Sequence, residues 1–243
     1  MTYNVHGFVG TDGTYDPERV ARVIERSEPD LIALQEVELE RQHSGEGVTS
    51  EWFAQRLGMQ CHFTLTRLGH HGGKFGNAVF SRHSFDLISE GSLPGRGGES
   101  RAVQWLKVRT PQYDFHLMNT HLSTNFFERR LQVRALLGAE WRVRAGSDLP
   151  LAICGDFNAT PLSPVYRHLS RHLMDAQRVK RTRRATWPSA LPLFCIDYLF
   201  LSRDFQVESC RVTRNALTRT ASDHLPIEAV LEWKGVAGVS ALD

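Results

Sequence analysis

Short apolar runs, each closed by a few polar residues, recur along the chain, with a handful of helical stripes between them. Val20, Val23 and Ile24 form one such stripe behind Asp16-Pro17-Glu18. Asp16 suits a cap and Pro17 the first helical position, so a helix is predicted there, stopping at Pro29. Leu31-Ile32-Ala33-Leu34 reads as a buried strand ending in Gln35-Glu36. A short helix from Ser50 to Leu57, closed by Gly58, and a strand from Gly76 to Ser81 follow. Pro94-Gly95-Arg96-Gly97-Gly98 predicts a mobile loop. Residues 101–109 and 113–119 pair as a hairpin around Thr110-Pro111-Gln112, the second run closing on Asn119-Thr120-His121.

Asn125, with Glu128 three residues on, predicts a capping box and a helix to about Arg144, its faces marked by Val133, Leu136, Leu137, Glu140 and Trp141. Leu149 to Cys154 reads as a buried strand that Gly155 breaks. Ser163-Pro164 opens another helix carrying Val165, Leu169 and Leu173. Strands are expected from Ile196 to Leu201, Phe205 to Val212 and Ile227 to Trp233. Strands outnumber helices and often follow one another, which predicts an α/β molecule of two packed sheets flanked by helices. No repeat or linker divides the 243 residues, so one domain is expected, with residues 235–243 as a tail. The chain opens inside a strand at Met1-Thr2-Tyr3-Asn4, which predicts a first strand truncated at its start.

Composition narrows the partners. A hydrophobic content of 41% suits a soluble globule with a substantial core. Twenty-nine basic and 27 acidic residues leave a net charge of +2, so any nucleic-acid affinity has to come from a local patch. Cys61, Cys154, Cys195 and Cys210 are far apart and form no C-x-x-C pair, which predicts reduced core thiols in a reducing, cytoplasmic setting. There is no apolar run of about 18 residues and no signal peptide before the first motif. Nothing in the sequence points to an obligate protein partner.

The chemistry gathers at strand ends. Asn4, Glu36, His121, the Asp156/Asn158 pair and Asp223-His224 lie at or just beyond them, and Asp197 sits within an apolar strand. Charged groups in such places cost free energy unless paired or bound to a ligand. In Gly155-Asp156-Phe157-Asn158, a carboxylate suits taking a proton from water and an amide suits holding that water in line. The same residue types are also the commonest turn formers, so a plain turn stays open. Gly69-His70-His71-Gly72-Gly73-Lys74-Phe75 imitates a phosphate loop but lacks the spacing and the Ser/Thr, and reads as a flexible loop. Asn77 either faces substrate or serves the strand edge, and Arg101 either pairs with Glu99 or meets a phosphate. The basic stretch Arg178, Lys180, Arg181, Arg183 and Arg184 is either a solvated loop or a phosphate-backbone contact.

Tyr3-Asn4-Val5-His6-Gly7, Leu34-Gln35-Glu36-Val37, Asn119-Thr120-His121-Leu122, Gly155-Asp156-Phe157-Asn158, Ile196-Asp197-Tyr198 and Ser222-Asp223-His224-Leu225-Pro226 together resemble the endonuclease/exonuclease/phosphatase superfamily, in the family's order. The resemblance implies a DNase I-like fold, a four-layer α/β sandwich of two mixed sheets between helices. It implies a divalent-metal-dependent phosphoesterase acting on nucleic acid, phospholipid or a small molecule by activated-water attack. Glu36 and Asn4 resemble the metal-binding pair for Mg²⁺ or Mn²⁺, with Asp223 assigned to metal or water contacts. Asp156 resembles the water-activating group, Asn158 its orienting partner, and His121 the phosphate-contacting histidine. His224 resembles the histidine that stabilises the pentacovalent phosphorus or assists the leaving group, with Asp197 as its orienting carboxylate. His6, Asn77 and Arg101 are expected on the substrate side. His6 stands where several nucleases of the family carry Asn or Asp. Asp197 is followed by Tyr198 rather than the arginine of the inositol 5-phosphatase branch, which argues against that substrate. The competing class is a non-catalytic module that holds nucleic acid or lipid in the same groove.

Overall fold

A computed structural model describes residues 1–41, 48–69, 72–95, 99–138, 149–182 and 184–234. The first sheet takes six strands: β1 (Thr2–Asn4), β2 (Leu31–Leu39), β3 (Gln60–Leu68), β4 (Lys74–Ser81), β11 (Phe205–Val212) and β12 (Ile227–Trp233), in the order β11-β12-β1-β2-β4-β3. The second takes β5 (Ser84–Ser92), β6 (Ala102–Arg109), β7 (Asp114–His121), β8 (Leu151–Asp156), β9 (Met174–Asp175) and β10 (Asp197–Leu201), in the order β5-β6-β7-β8-β10-β9. Both sheets are mixed: β1 runs parallel to β2 and β7 to β8, and their other neighbours are antiparallel. The helices are α1 (Pro17–Ser27), α2 (Ser50–Leu57), α3 (Phe126–Leu136), α4 (Pro164–Ser170), α5 (Ala176–Val179) and α6 (Ala216–Ala221).

Three apolar layers hold these elements as the four-layer sandwich expected. Val20, Val23 and Ile24 of α1 and Phe53 of α2 pack on Tyr3, Leu34 and Phe80 of the first sheet. Val133 and Leu136 of α3 and Val165, Tyr166 and Leu169 of α4 cover Ile153, Tyr198 and Phe200 of the second. Between the sheets lie Ala33, Val79, Leu106, Leu117, Ala152, Leu201 and Phe205. Burying such side chains contributes about 1.5–3 kcal/mol each. The four cysteines are free, three of them buried. No helix among the described residues is long and apolar enough to cross a membrane.

Several boundaries differ from the sequence reading, each for a local reason. β2 does not end at Glu36. It bulges between Leu34 and Val37, where Glu36 takes φ 55°, and runs on to Leu39. Gly155 does not break its strand: it pairs with Thr120 and Tyr198 inside β8 at φ 135°, where a β-carbon would overlap the Thr120 carbonyl. Asp197 opens β10 rather than lying within it. Asn125 does cap α3, accepting from the backbone of Phe127 and Glu128, but Glu128 does not close a capping box. Its carboxylate takes the Ser123 hydroxyl, and Ser123 receives the Asn125 N–H. β3, β5 and the two-residue β9 were not anticipated. The outer part of the helix predicted to Arg144, residues 96–98 of the glycine-rich loop, His70-His71, Arg183 and the 235–243 tail lie outside the described residues.

Candidate active site

Register brings the polar groups to one mouth of the sandwich. In the second sheet Asp156 pairs with His121 on one side and Asp197 on the other, so three neighbouring strands present these residues side by side. In the first sheet Asn4 pairs with Gln35, and the bulge in β2 carries Glu36 beside it. The segment between α6 and β12 delivers Asp223 and His224, held by Ser222, whose hydroxyl donates to the Asn4 carbonyl and accepts from the His224 N–H.

Asp156 is the hub. Its Oδ2 accepts from Asn4 Nδ2 at 3.0 Å and lies 3.4 Å from His121 Nε2 and 3.6 Å from His224 Nε2. Its Oδ1 accepts the Asn158 N–H at 2.8 Å, closing the turn that the sequence also allowed. Asn158, at φ 48°, turns its amide to within 3.0 Å of His121 Nε2 and donates to the Leu122 carbonyl. His224 Nδ1 and Asp197 Oδ2 are 2.9 Å apart. Asn4 also donates to Glu36 Oε1 at 2.8 Å while its own oxygen accepts the His6 N–H. Asn4 thus aligns two carboxylates and does not aim an oxygen outward.

The remaining residues fall into two groups. His6 Nδ1 sits 3.7 Å from Glu36 and 3.5 Å from Asp223, and Asp223 is further gripped by the Trp187 indole N–H at 3.0 Å. Arg101 reaches the site, 2.8 Å from His121 Nδ1, and pairs with Glu99, so the salt bridge open from sequence is formed beside the cluster. Asn77 does not join the cluster. It is buried in β4, a strand paired on both sides, and donates across to the Ala102 carbonyl.

Sequence reasoning missed the support beneath. Asn119 Nδ2 donates to the carbonyls of Leu34 and Ala78 and to Gln104 Oε1, and Asn119 Oδ1 accepts from Gln35 Nε2 at 2.8 Å. This amide bridge ties both sheets at the start of the β2 bulge. Its signal was present in Asn119-Thr120-His121, but the inward direction of an amide at a strand end is not legible. Trp187 gave no signal beyond its Trp-Pro context.

Charge is distributed unevenly. Burial, reinforced by Asp197, pushes the Asp156 carboxyl up to about 7, against the pull of His224, the Asn158 N–H and Asn4. Burial opposes the charged form of His224, but Asp197 and Asp156 outweigh it and push the ring up to about 10. At neutral pH His224 therefore keeps its proton, while Asp156 is near its own midpoint. Burial pulls His121 down to about 3, so it is a neutral ring. Glu36 goes the other way: burial would raise it, but the His6 bond, neighbouring His121 and the Asn4 amide hold it well below the usual carboxylate range.

Among the described residues, two sets of groups are compact enough to hold an ion. Glu36, His121 and Asp156 form one, and Asp156, Asp197 and His224 the other, each with its ligand atoms within 4.8 Å of one another. Each set offers two carboxylates and one imidazole, with no thiol. Asp197 Oδ1 and Asp223 Oδ1 are buried and accept no hydrogen bond, a cost that a bound cation or substrate offsets.

A profile of the endonuclease/exonuclease/phosphatase family matches residues 1–224, and the chain belongs to that family. Among curated relatives, mouse nocturnin is 28% identical over 158 residues, covering 59% of this chain and 35% of the relative, and human nocturnin is 27% identical over the same length. The chain thus spans about a third of the length of these relatives. Among solved structures, a Beutenbergia cavernae endonuclease/exonuclease/phosphatase aligns with a TM-score of 0.73 at 26% identity, covering 96% of this chain and 70% of that one. The human nocturnin catalytic domain with bound sulfate aligns at 0.67, with 24% identity over 88% and 85% of the two chains. A Bacteroides thetaiotaomicron mannosyl-6-phosphatase aligns at 0.75, with 18% identity over 96% and 98%. The latter two share the fold.

Proposed function

We propose that the protein is a phosphoesterase that hydrolyses phosphodiester or phosphomonoester bonds with Mg²⁺ or Mn²⁺. The observation that carries this reading is the position of Asp156 Oδ2, held among Asn4, His121 and His224 at the mouth where both sheets converge. Glu36 and Asp223 would hold the ion, with Asn4 fixing the direction of the Glu36 carboxylate. When bound there, it would supply Lewis-acid stabilisation of charge on the phosphate. Asp156 takes the proton of the attacking water, and Asn158 and His121 fix where that water stands. His224, kept cationic by Asp197, donates to the phosphoryl oxygens as negative charge grows on them. Arg101 adds a second cation, and His6 borders the substrate side.

The names of two neighbours, one with a bound sulfate and one a sugar phosphatase, fit an anion-binding mouth of this kind. The test is the hydrolysis of bis-p-nitrophenyl phosphate and p-nitrophenyl phosphate with Mg²⁺ or Mn²⁺. Asp156→Asn and His224→Ala are each expected to lower turnover by about 10²–10⁴ while the fold is retained. Wild-type turnover in both variants removes the assignment.

A further inference from the structure

On the outer face of the helix layer, α3 and α4 enclose a trough lined by four arginines. Arg130 and Arg134 lie one turn apart on α3, Arg167 and Arg171 one turn apart at α4, and His168 sits beside them. The trough measures about 230 Å³ and includes Val133, Pro164 and Val165; no acidic side chain lines it among the described residues. Like charges one turn apart oppose helix formation, and here two such pairs line the same trough. His168 registers that crowding: burial, then His172, Arg171 and Arg134, hold its ring below the ordinary histidine value. A second hollow of about 340 Å³ continues from Arg171 to His172, Arg178 and Arg203. Its one carboxylate, Asp175, is buried and already occupied by the Tyr166 hydroxyl and the N–H groups that begin α5. Toward the mouth, Phe126 and Phe127 stand exposed at the start of α3, with Arg130 5.8 Å from the Phe126 ring. For a chain of net charge +2 this is a marked local concentration of cations.

We propose that this trough is an exosite for the phosphodiester backbone of a single-stranded nucleic acid, distinct from the catalytic cluster. Guanidinium forks pair with phosphates in a bidentate manner and stay charged at any working pH. Two rows of arginines along a concave channel meet successive phosphates of one strand, whereas a bilayer presents a flat array. The exposed phenylalanines offer ring faces on which bases stack irrespective of sequence. The basic residue Arg178, ambiguous in the sequence, belongs to this surface; Arg130, Arg134, Arg167, Arg171 and Arg203 are too scattered along the chain to have formed a visible run. That the bound strand is also a substrate rests on the phosphoesterase reading; the binding itself does not.

The experiment compares the wild-type chain with a combined Arg130→Gln, Arg134→Gln, Arg167→Gln, Arg171→Gln variant and its all-lysine counterpart. Anisotropy of a fluorescein-labelled oligodeoxythymidine, in EDTA to prevent cleavage, reads binding across about 50–200 mM salt. Loss of four phosphate contacts should lower the log–log salt slope by about 2.8, so wild-type binding falls about fifty-fold more than the glutamine variant's over that range. The lysine variant should keep the slope, and bis-p-nitrophenyl phosphate turnover should be the same in all three proteins. An unchanged slope in the glutamine variant overturns the exosite. So does loss of binding to phosphatidylserine vesicles with oligonucleotide binding intact, which would identify a membrane surface instead. If no protein turns over the small substrate but the slope changes as stated, the catalytic reading fails and the exosite stands.

Discussion

Asp156 and His224 lose their protons in different pH ranges, and this makes activity depend on pH in both directions. The Asp156 carboxyl is raised to about 7, so in the metal-free protein it is protonated below that value and cannot act as a base. His224 is raised to about 10, so it stays cationic until the pH climbs through that value. The rate is therefore expected to fall about tenfold per unit on the acid side and again above about 10. A bound divalent ion moves the acid limb downward, because its charge favours the carboxylate. Rate profiles at two metal concentrations check this; an acid limb that does not move with metal contradicts it. Asn119 carries a second prediction at this scale. Asn119→Asp removes every N–H that serves Leu34, Ala78 and Gln104 and buries a charge, for a loss of about 3 kcal/mol or more. Urea unfolding reads it, and unchanged stability would show that the bridge between the sheets is dispensable. The carboxylates and histidines were legible in the sequence because ionisable groups beside apolar strands need an explanation. Asn119 and Gln35 were not, since an amide at a strand end looks the same whether it faces inward or outward.

At the level of elements, the site depends on two backbone distortions. The β2 bulge turns Glu36 toward the mouth, and Gly155, at positive φ, lets β7 and β8 approach closely one residue before Asp156. Gly155→Ala forces a side chain into the Thr120 carbonyl at φ 135° and should cost about 2–4 kcal/mol. Denaturant midpoints check it, and a variant as stable as the parent would mean that the pairing tolerates more separation than described. The core strands were readable because their apolar runs are continuous. Of the strands missed, β3 and β5 lie at the edges of their sheets and expose much of both faces, so their sequences carry little apolar alternation. They also meet each other: Glu90 of β5 bonds to His62 and Thr64 of β3, a contact that sequence spacing cannot reveal.

For the whole molecule, the sandwich places its cations in two regions with different chemistry. At the mouth, His224 and Arg101 are buried and tied to carboxylates, whereas the arginines of α3 and α4 line an open trough. A net charge of +2 conceals both, because total charge averages over faces. The order of motifs along the chain, through the resemblance it carries, was enough to infer the four layers, whereas the mid-strand bulge that presents Glu36 was not visible in it. The trough needed the packing of two helices that are distant in sequence.

Mn²⁺ titration of the wild-type chain and of Glu36→Gln, followed by electron paramagnetic resonance, tests most directly whether the carboxylates at the mouth form a metal centre. Saturable binding in the wild type, weakened at least about a hundredfold in the variant, is the expected result. Equal Mn²⁺ affinity in the two proteins, or no saturable site in the wild type, would contradict it.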